Sequence, residues 1–226
     1  MAYRLKHYRK IEGIINAETG LRIGGSTEDI DIGAMENPVI RHPLTGYPYV
    51  PGSSLKGKIR SLLEYKHGRR NYQRDRRTKQ LVEIELGEPC MCGECIVCRV
   101  FGPHKNVDHQ LGPTRAIFRD ADLTEESRKR LEEARAETGM FYTETKKENI
   151  IDRRTGVAAD RGLRTQERVP AGTKFDFEIS VRIFDDDNEQ EILDFIEEGL
   201  ALLQQDYLGG SGSRGYGKVS LEYQVN

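Results

Sequence analysis

"TKFDFEISVRIF" (residues 173–184), "NEQEILDFIEEGLALLQQDY" (188–207) and "GYGKVSLEYQV" (215–225) decide the fold. The first alternates apolar and polar residues, the signature of a half-buried strand. In the second, Ile192, Phe195, Ile196, Leu200 and Leu203 recur at helical spacing, so one face turns inward. The third alternates again. A strand, an amphipathic helix and a strand make half of a small α+β domain.

The other half lies upstream. "AYRLKHYRKIEGIINA" (2–17) reads as a strand, and "LKGKIRSLLEYK" (55–66) as a helix with Leu55, Ile59, Leu62 and Leu63 on one face. Ser53 or Ser54 is placed to cap it. "TRAIFRDADL" (114–123) is expected as a strand. "TEESRKRLEEARAE" (124–137) is expected as a helix, capped by Thr124 with glutamates in its first turn. Residues 140–172 are charged and punctuated by glycine, which suggests an extended hairpin or arm. The order β–α–β–α–β–α–β, with an antiparallel sheet and helices on one face, predicts an α+β, ferredoxin-like core in a single domain spanning 1–226. Its long loops, at 18–53 and in an insertion at about 67–112, are where function is expected.

Charge is segregated rather than abundant. Net charge is −2, yet Lys56 to Lys79 holds ten Lys/Arg against Glu64 and Asp75. Such a patch suits a polyanion better than the overall balance suggests. The run from Asp185 to Glu198 holds eight acids and no base, and reads as a solvated face. No apolar stretch reaches the length of about 18 residues that a membrane span needs. The opening residues lack the apolar core of a signal peptide, so a cytoplasmic protein is expected.

Two glycine-rich loops imitate nucleotide motifs and fail them. "VPGSSLKGKIR" (50–60) has Gly52, Gly57 and Lys58 at P-loop spacing, but Ile59 replaces the hydroxyl that binds magnesium. "LGGSGSRGYGK" (208–218) contains G-x-G-x-x-G, but follows a helix and precedes a strand, the reverse of a dinucleotide site. What both retain is a fit to phosphate. The first opens a helix, whose dipole favours anions. The second offers backbone N–H groups, Ser211, Ser213 and Arg214. Two such loops and a basic track point to a polynucleotide.

All four cysteines lie in "CMCGECIVC": Cys90, Cys92, Cys95 and Cys98. So tight a cluster in a cytosolic chain suggests metal, with structural Zn²⁺ the first choice and an iron–sulfur cluster or free thiols the alternatives. The "RVFGPH" that follows lacks the ferredoxin continuation. Because four ligands within nine residues are compact, His104 or His109 is a candidate substitute for one of them. A bound metal would fold an insertion too small for its own core.

The chain resembles the RAMP superfamily, and within it the Csm-type backbone subunits of type III-A CRISPR effectors. The resemblance rests on "TGLRIGGS" (19–26), "NPVIRHPLTGYPYVPGSSLKGKIRSLLE" (37–64), "CRVFG" (98–102), "YTETKKENIIDR" (142–153) and "YLGGSGSRGYGKV" (207–219), in that order. It implies an RRM-related core, several copies stacked along one guide (CRISPR) RNA, other type III effector subunits as partners, and a thumb hairpin, here about 146–172, inserted into the guide–target duplex. It also implies cleavage of target RNA at six-nucleotide steps, with the 2′-hydroxyl as nucleophile and Mg²⁺ or Mn²⁺ assisting. The RNA contacts carried over by motif are Arg22 and Ser26, then Ser53, Ser54, Lys56 and Lys58, then Gly209, Gly210, Ser211 and Arg214. The cutting residue departs from the pattern G-[AG]-I-D-[NS]-P-V-I: this chain reads "GAMENPVI", with Glu36 in place of Asp. Asp29 and Asp31 are nearby secondary candidates. Two alternatives stand beside the nuclease: an RNA-binding scaffold, and a metal-free guide-processing endonuclease using His7, His42 or Tyr47.

Overall fold

The computed structural model describes residues 3–24, 38–68, 72–74, 81–83, 87–106, 108–139 and 141–226. Its elements in chain order are β1 (Leu5–Ala17), α1 (Gly52–His67), β2 (Tyr72–Arg74), β3 (Leu81–Glu83), α2 (Ile96–Phe101), β4 (Ala116–Phe118), β5 (Asp122–Leu123), α3 (Glu125–Thr138), β6 (Glu144–Ile151), β7 (Ala158–Arg168), β8 (Lys174–Phe184), α4 (Glu189–Gln205) and β9 (Val219–Val225).

The main sheet runs β4–β8–β1–β9, with β5 also on β8 beyond β4. All its pairings are antiparallel. If β4 and β5 count as one broken edge strand, the order is second–third–first–fourth. That is the ferredoxin-like arrangement expected from the sequence. The break replaces the single strand expected over 114–123. Between its halves, Ala121 bridges to Val50 and the Asp120 carboxylate turns toward α1.

One face of the sheet is buried. Ile11, Ile15, Phe175, Phe177, Ile179 and Val181 meet Leu55, Ile59 and Leu63 of α1 and Ile192, Ile196, Leu200 and Leu203 of α4. The two helices pack against each other at Gly199, where a Cβ would stand 2.5 Å from Ile59 Cγ2 and 2.9 Å from Leu63 Cδ1. The glycine is there for proximity.

The expected cap forms on α3 and not on α1, and α4 has a cap that the sequence reading did not name. Thr124 Oγ1 accepts from Ser127 N–H at 3.2 Å, and Asn188 Oδ1 accepts from Glu191 N–H. Neither Ser53 nor Ser54 caps α1. The helix starts earlier, at Gly52, and Gly52 N–H donates to Asp120 Oδ1 at 2.7 Å. The serines are therefore left in the first turn, Ser53 exposed and Ser54 half-buried.

Two further departures matter. The cysteine-bearing segment is not a detached insertion: α2 sends Val97, Val100 and Phe101 into the main core. The acidic run is not all solvated either. The Asp187 side chain is covered, and it receives Arg115 through Nε and Nη2 at 2.8–3.0 Å and Arg99 Nη1 at 3.1 Å. No helix among the described residues is long and apolar enough to cross a membrane.

Candidate nucleic-acid interface and metal centre

The last glycine loop is closed on itself and on the segment at residues 20–22. Leu208 N–H donates to Gly217 O (2.8 Å), and Gly217 N–H to Gly20 O (3.0 Å). Gly210 N–H is taken by Arg22 O at 2.8 Å, so it does not face outward as a free phosphate donor. Gly209 adopts φ +79°, and a Cβ there would meet Arg22 O at 2.2 Å. Only glycine fits that contact. Arg22, Gly209 and Gly210 are thus brought together. Ser211 sits in the left-handed region at φ 66°, and its hydroxyl accepts from Arg214 Nη2 at 2.6 Å.

The arm expected at about 146–172 is the β6–β7 hairpin, paired from Glu144↔Arg168 to Ile151↔Ala158. Its root is bolted to this loop. Tyr216, 1% exposed, donates its hydroxyl to Glu148 Oε1 at 2.6 Å. Lys146 and Arg168 lie over the Tyr216 ring at 4.6 and 5.2 Å. Glu148 also meets Arg214 Nη1 at 3.3 Å. The Tyr216 hydrogen bond, the largest influence, holds the Glu148 carboxyl below its usual range. Burial first and Glu148 second push Tyr216 up to about 12. Glu148 and Tyr216 were not anticipated from sequence. The alternation that puts Lys146 and Glu148 on one side of β6 was the available signal.

The two lysines of α1 part company. Lys58 is bound within the fold, with Nζ 3.2 Å from Asp206 Oδ2 and 3.7 Å from the Tyr207 ring centroid. It therefore steadies the start of the last loop. Lys56 lies two positions away, about 200° around the helix. It lines a groove of about 650 Å³ with Ser53, Gly57, Arg60, Ser61 and Glu64, the last held by Arg60. Burial, and then Arg60, lower its pKa; among the described residues no carboxylate offsets this. Arg60 itself is structural: Nε pairs with Glu64 at 2.8 Å, while Nη1 and Nη2 hold Gly102 O and Cys90 O.

Ser26, Asp29, Asp31 and Glu36 lie outside the described residues. The chain that follows them is firmly held. Val39 N–H donates to the buried Glu167 carboxylate at 2.7 Å, and Arg41 donates to the same carboxylate and to Thr143 Oγ1. Glu167 lies one residue before the end of β7, so Val39 and Arg41 are tied to the root of the β6–β7 hairpin.

The four cysteine sulfurs lie within 4.8 Å of one another. Cys90–Cys95 and Cys90–Cys98 are 3.7 Å apart and Cys92–Cys98 3.8 Å. A tetrahedron with metal–sulfur bonds of about 2.3 Å has edges of about 3.8 Å. The set fits one tetrahedral ion, while a multi-iron cage needs wider spacing. The compact spacing is feasible because α2 turns Cys98 back beneath Cys95, whose sulfur receives the Cys98 N–H. Hydrogen bonding, with Cys90 the largest contributor, pulls the Cys92 thiol down and pushes Cys98 up. Neither substitute histidine is required: His104 pairs with Glu88 at 3.0 Å, and His109 Nδ1 accepts from Leu111 N–H. The cluster touches α1 directly, through Cys90 N–H to Glu64 Oε1 at 3.0 Å and through Arg60.

Of the residues of the metal-free alternative, His7 stands apart, while His42 and Tyr47 are neighbours, joined by His42 N–H to Tyr47 O at 2.8 Å and lining one cavity; all three side chains are engaged. His7 pairs with Glu189, and His42 Nδ1 accepts from Leu44 N–H. Tyr47 donates to Glu132, which chiefly raises the phenol to about 12, too high for acid–base exchange near neutrality.

The family model of the RAMP superfamily matches residues 14–220. A protein from Methanocaldococcus jannaschii named CRISPR system Cms endoribonuclease Csm3 is 47% identical over 211 residues, covering 92% of this chain and 76% of its own. A protein of the same name from Streptococcus thermophilus is 41% identical, with 94% and 86% covered. A solved Csm3–Csm4 subcomplex of a type III-A CRISPR–Cas interference complex superposes with TM-score 0.58 at 34% identity, covering 98% of this chain and 79% of that one. A type III-B Cmr-beta complex, at TM-score 0.61 and 18% identity with 96% and 60% covered, shares the fold.

Proposed function

The chain belongs to the RAMP superfamily, and on that premise we propose that it is the backbone endoribonuclease of a type III-A CRISPR effector. It binds guide RNA, repeats along it beside other effector subunits, and cuts the complementary target RNA; its place is the cytoplasm. One observation carries the reading. Hydrogen bonds link residues 20–22 to the last glycine loop, that loop to the β6–β7 hairpin, and the hairpin to Val39 and Arg41, in a chain 47% identical to a named endoribonuclease.

Guide phosphates rest along Lys56, Ser53, Ser54 and the 208–217 loop, with Arg214 reaching from its rim. Lys58 acts on them indirectly, through Asp206 and Tyr207. In the cut, the target's 2′-oxygen forms a bond to the adjacent phosphorus while the bond from phosphorus to the 5′-oxygen breaks. The 2′-proton is lost and the leaving oxygen gains one. Glu36, with Asp29 and Asp31 near it in sequence, offers carboxylate oxygens, a donor set suited to a hard cation. A bound Mg²⁺ or Mn²⁺ would supply neutralisation of the charge that develops on the phosphate. Glu36 carries one methylene more than the expected Asp, and a misplacement of about 1 Å can cost about a hundredfold in rate. That extra length is the specific ground for the second reading, a slow or inactive RNA-binding scaffold. Cys90, Cys92, Cys95 and Cys98 hold Zn²⁺, which fixes the segment against α1 and does no chemistry.

The test is target cleavage by the complex assembled with guide RNA, in magnesium and then in EDTA. Products at regular six-nucleotide spacing that vanish in EDTA are expected. Tight guide and target binding with no products in magnesium would make the chain a scaffold.

A further inference from the structure

An exposed phenylalanine stands where the thumb begins. Phe141 lies between α3 and β6 and keeps 67% of its surface in solvent. The Arg41 guanidinium is 5.5 Å from its ring centroid and the Arg135 guanidinium 5.7 Å. Both arginines are fixed by other bonds. Arg41 donates to the buried Glu167 and to Thr143 Oγ1. Arg135 donates to the Tyr142 hydroxyl at 2.8 Å and lies 4.9 Å from that ring's centroid. The fold accounts for the two cations without Phe141, and it leaves the ring open.

A nucleobase is the ligand whose chemistry matches. It is a flat π system that stacks on aromatic rings and on guanidinium planes, and in a strand its nucleotide brings a phosphate that cations attract. Position decides which nucleic-acid element it is. Arg41 follows Glu36 by five residues, so the two are at most about 18 Å apart along the chain. Arg41, Thr143 and Glu167 also fasten this surface to the thumb root. In a regular helical strand the 2′-oxygen does not stand opposite the 5′-oxygen that leaves, so a strand cut by its own 2′-hydroxyl must open at that step. An opened step frees a base, which needs a surface to hold it.

We propose that Phe141, between Arg41 and Arg135, is a stacking platform for one unpaired base of the target RNA beside the cut. The inference rests on the nuclease reading above and deepens it. Phe141 acts as a positioning residue: it holds the opened conformation and takes no part in bond making.

The test uses the effector assembled with guide RNA and target strands carrying a single 2-aminopurine at successive positions across one repeat. Wild type, Phe141→Ala and Phe141→Trp are compared. In wild type, the expected result is one position per repeat whose fluorescence is quenched although its base is unpaired. In Phe141→Ala that position brightens and cleavage slows about tenfold, in line with the loss of one stacked base. Phe141→Trp restores both. Guide affinity and the number of subunits per guide stay unchanged. Identical fluorescence and identical cleavage in wild type and Phe141→Ala would overturn the platform. So would a loss of subunits per guide in native mass spectra, which would make the surface a protein contact. A wild-type complex that binds target without cutting defeats the nuclease reading, yet the fluorescence comparison still decides the platform. Failure of the wild-type complex to bind target overturns both.

Discussion

At the scale of residues, two lysines of one short motif do different work. Lys58 is paired with Asp206, whereas Lys56 lines a groove in which burial and then Arg60 lower its pKa. Lys56→Ala should weaken guide binding and reduce the slope of log affinity against log salt by about one, as loss of a single phosphate contact requires. Filter binding across a salt series measures it. Lys58→Ala and Asp206→Ala should instead be coupled in stability. Their combined effect on melting should fall short of the sum by about 0.5 kcal/mol or more, since the pair shares one interaction. The sequence named both lysines and could not separate them. Separation depends on Asp206, 148 residues further on, and on the rotation of α1. Arg60 is the opposite case: its pairing with Glu64 four residues away was legible locally, and it formed.

At the scale of elements, what was legible is what local periodicity encodes. The five inward positions of α4 are all buried, and Thr124 caps α3. The cap of α1 was missed because its acceptor, Asp120, lies 68 residues away. Helix α2 was missed because six residues are too few for a helical period to show. Packing supplies two predictions here. Gly199→Ala should destabilise the domain by about 1–3 kcal/mol, because Ile59 and Leu63 must give way, and thermal melting will register it. The cysteine cluster should carry one zinc per chain by elemental analysis. Chelation should loosen α1 as well as the cluster, because Arg60 and Glu64 hold the Cys90 backbone. Hydrogen exchange of α1 amides with and without chelator reports that coupling.

At the scale of the whole molecule, the sheet order and the hairpin arm were legible. They follow from alternation and from motifs kept in one order along the chain. The buried charge was not. Asp187 sits in a run of acids that read as solvated, yet Arg115 and Arg99 hold it in the interior. Burial alone would raise its carboxyl, and the Arg115 bonds with the Phe184 N–H outweigh that and hold it below the usual range. A carboxylate depressed in the folded state stabilises the protein above its unfolded pKa of about 4. That contribution should fall away as pH drops through the folded value, so melting temperature should decline below about pH 4. Asp187→Ala should flatten that part of the decline and cost about 3–5 kcal/mol at neutral pH by stranding Arg115.

The central claim is that this backbone subunit cuts RNA and that Glu36 does the cutting. Its most direct test is to assemble the complex with guide RNA carrying either Glu36 or Glu36→Gln, and to follow labelled target RNA in magnesium. The account predicts regularly spaced products from the native chain and none from the variant, with target binding equal in both. Equal cleavage by the variant would contradict it.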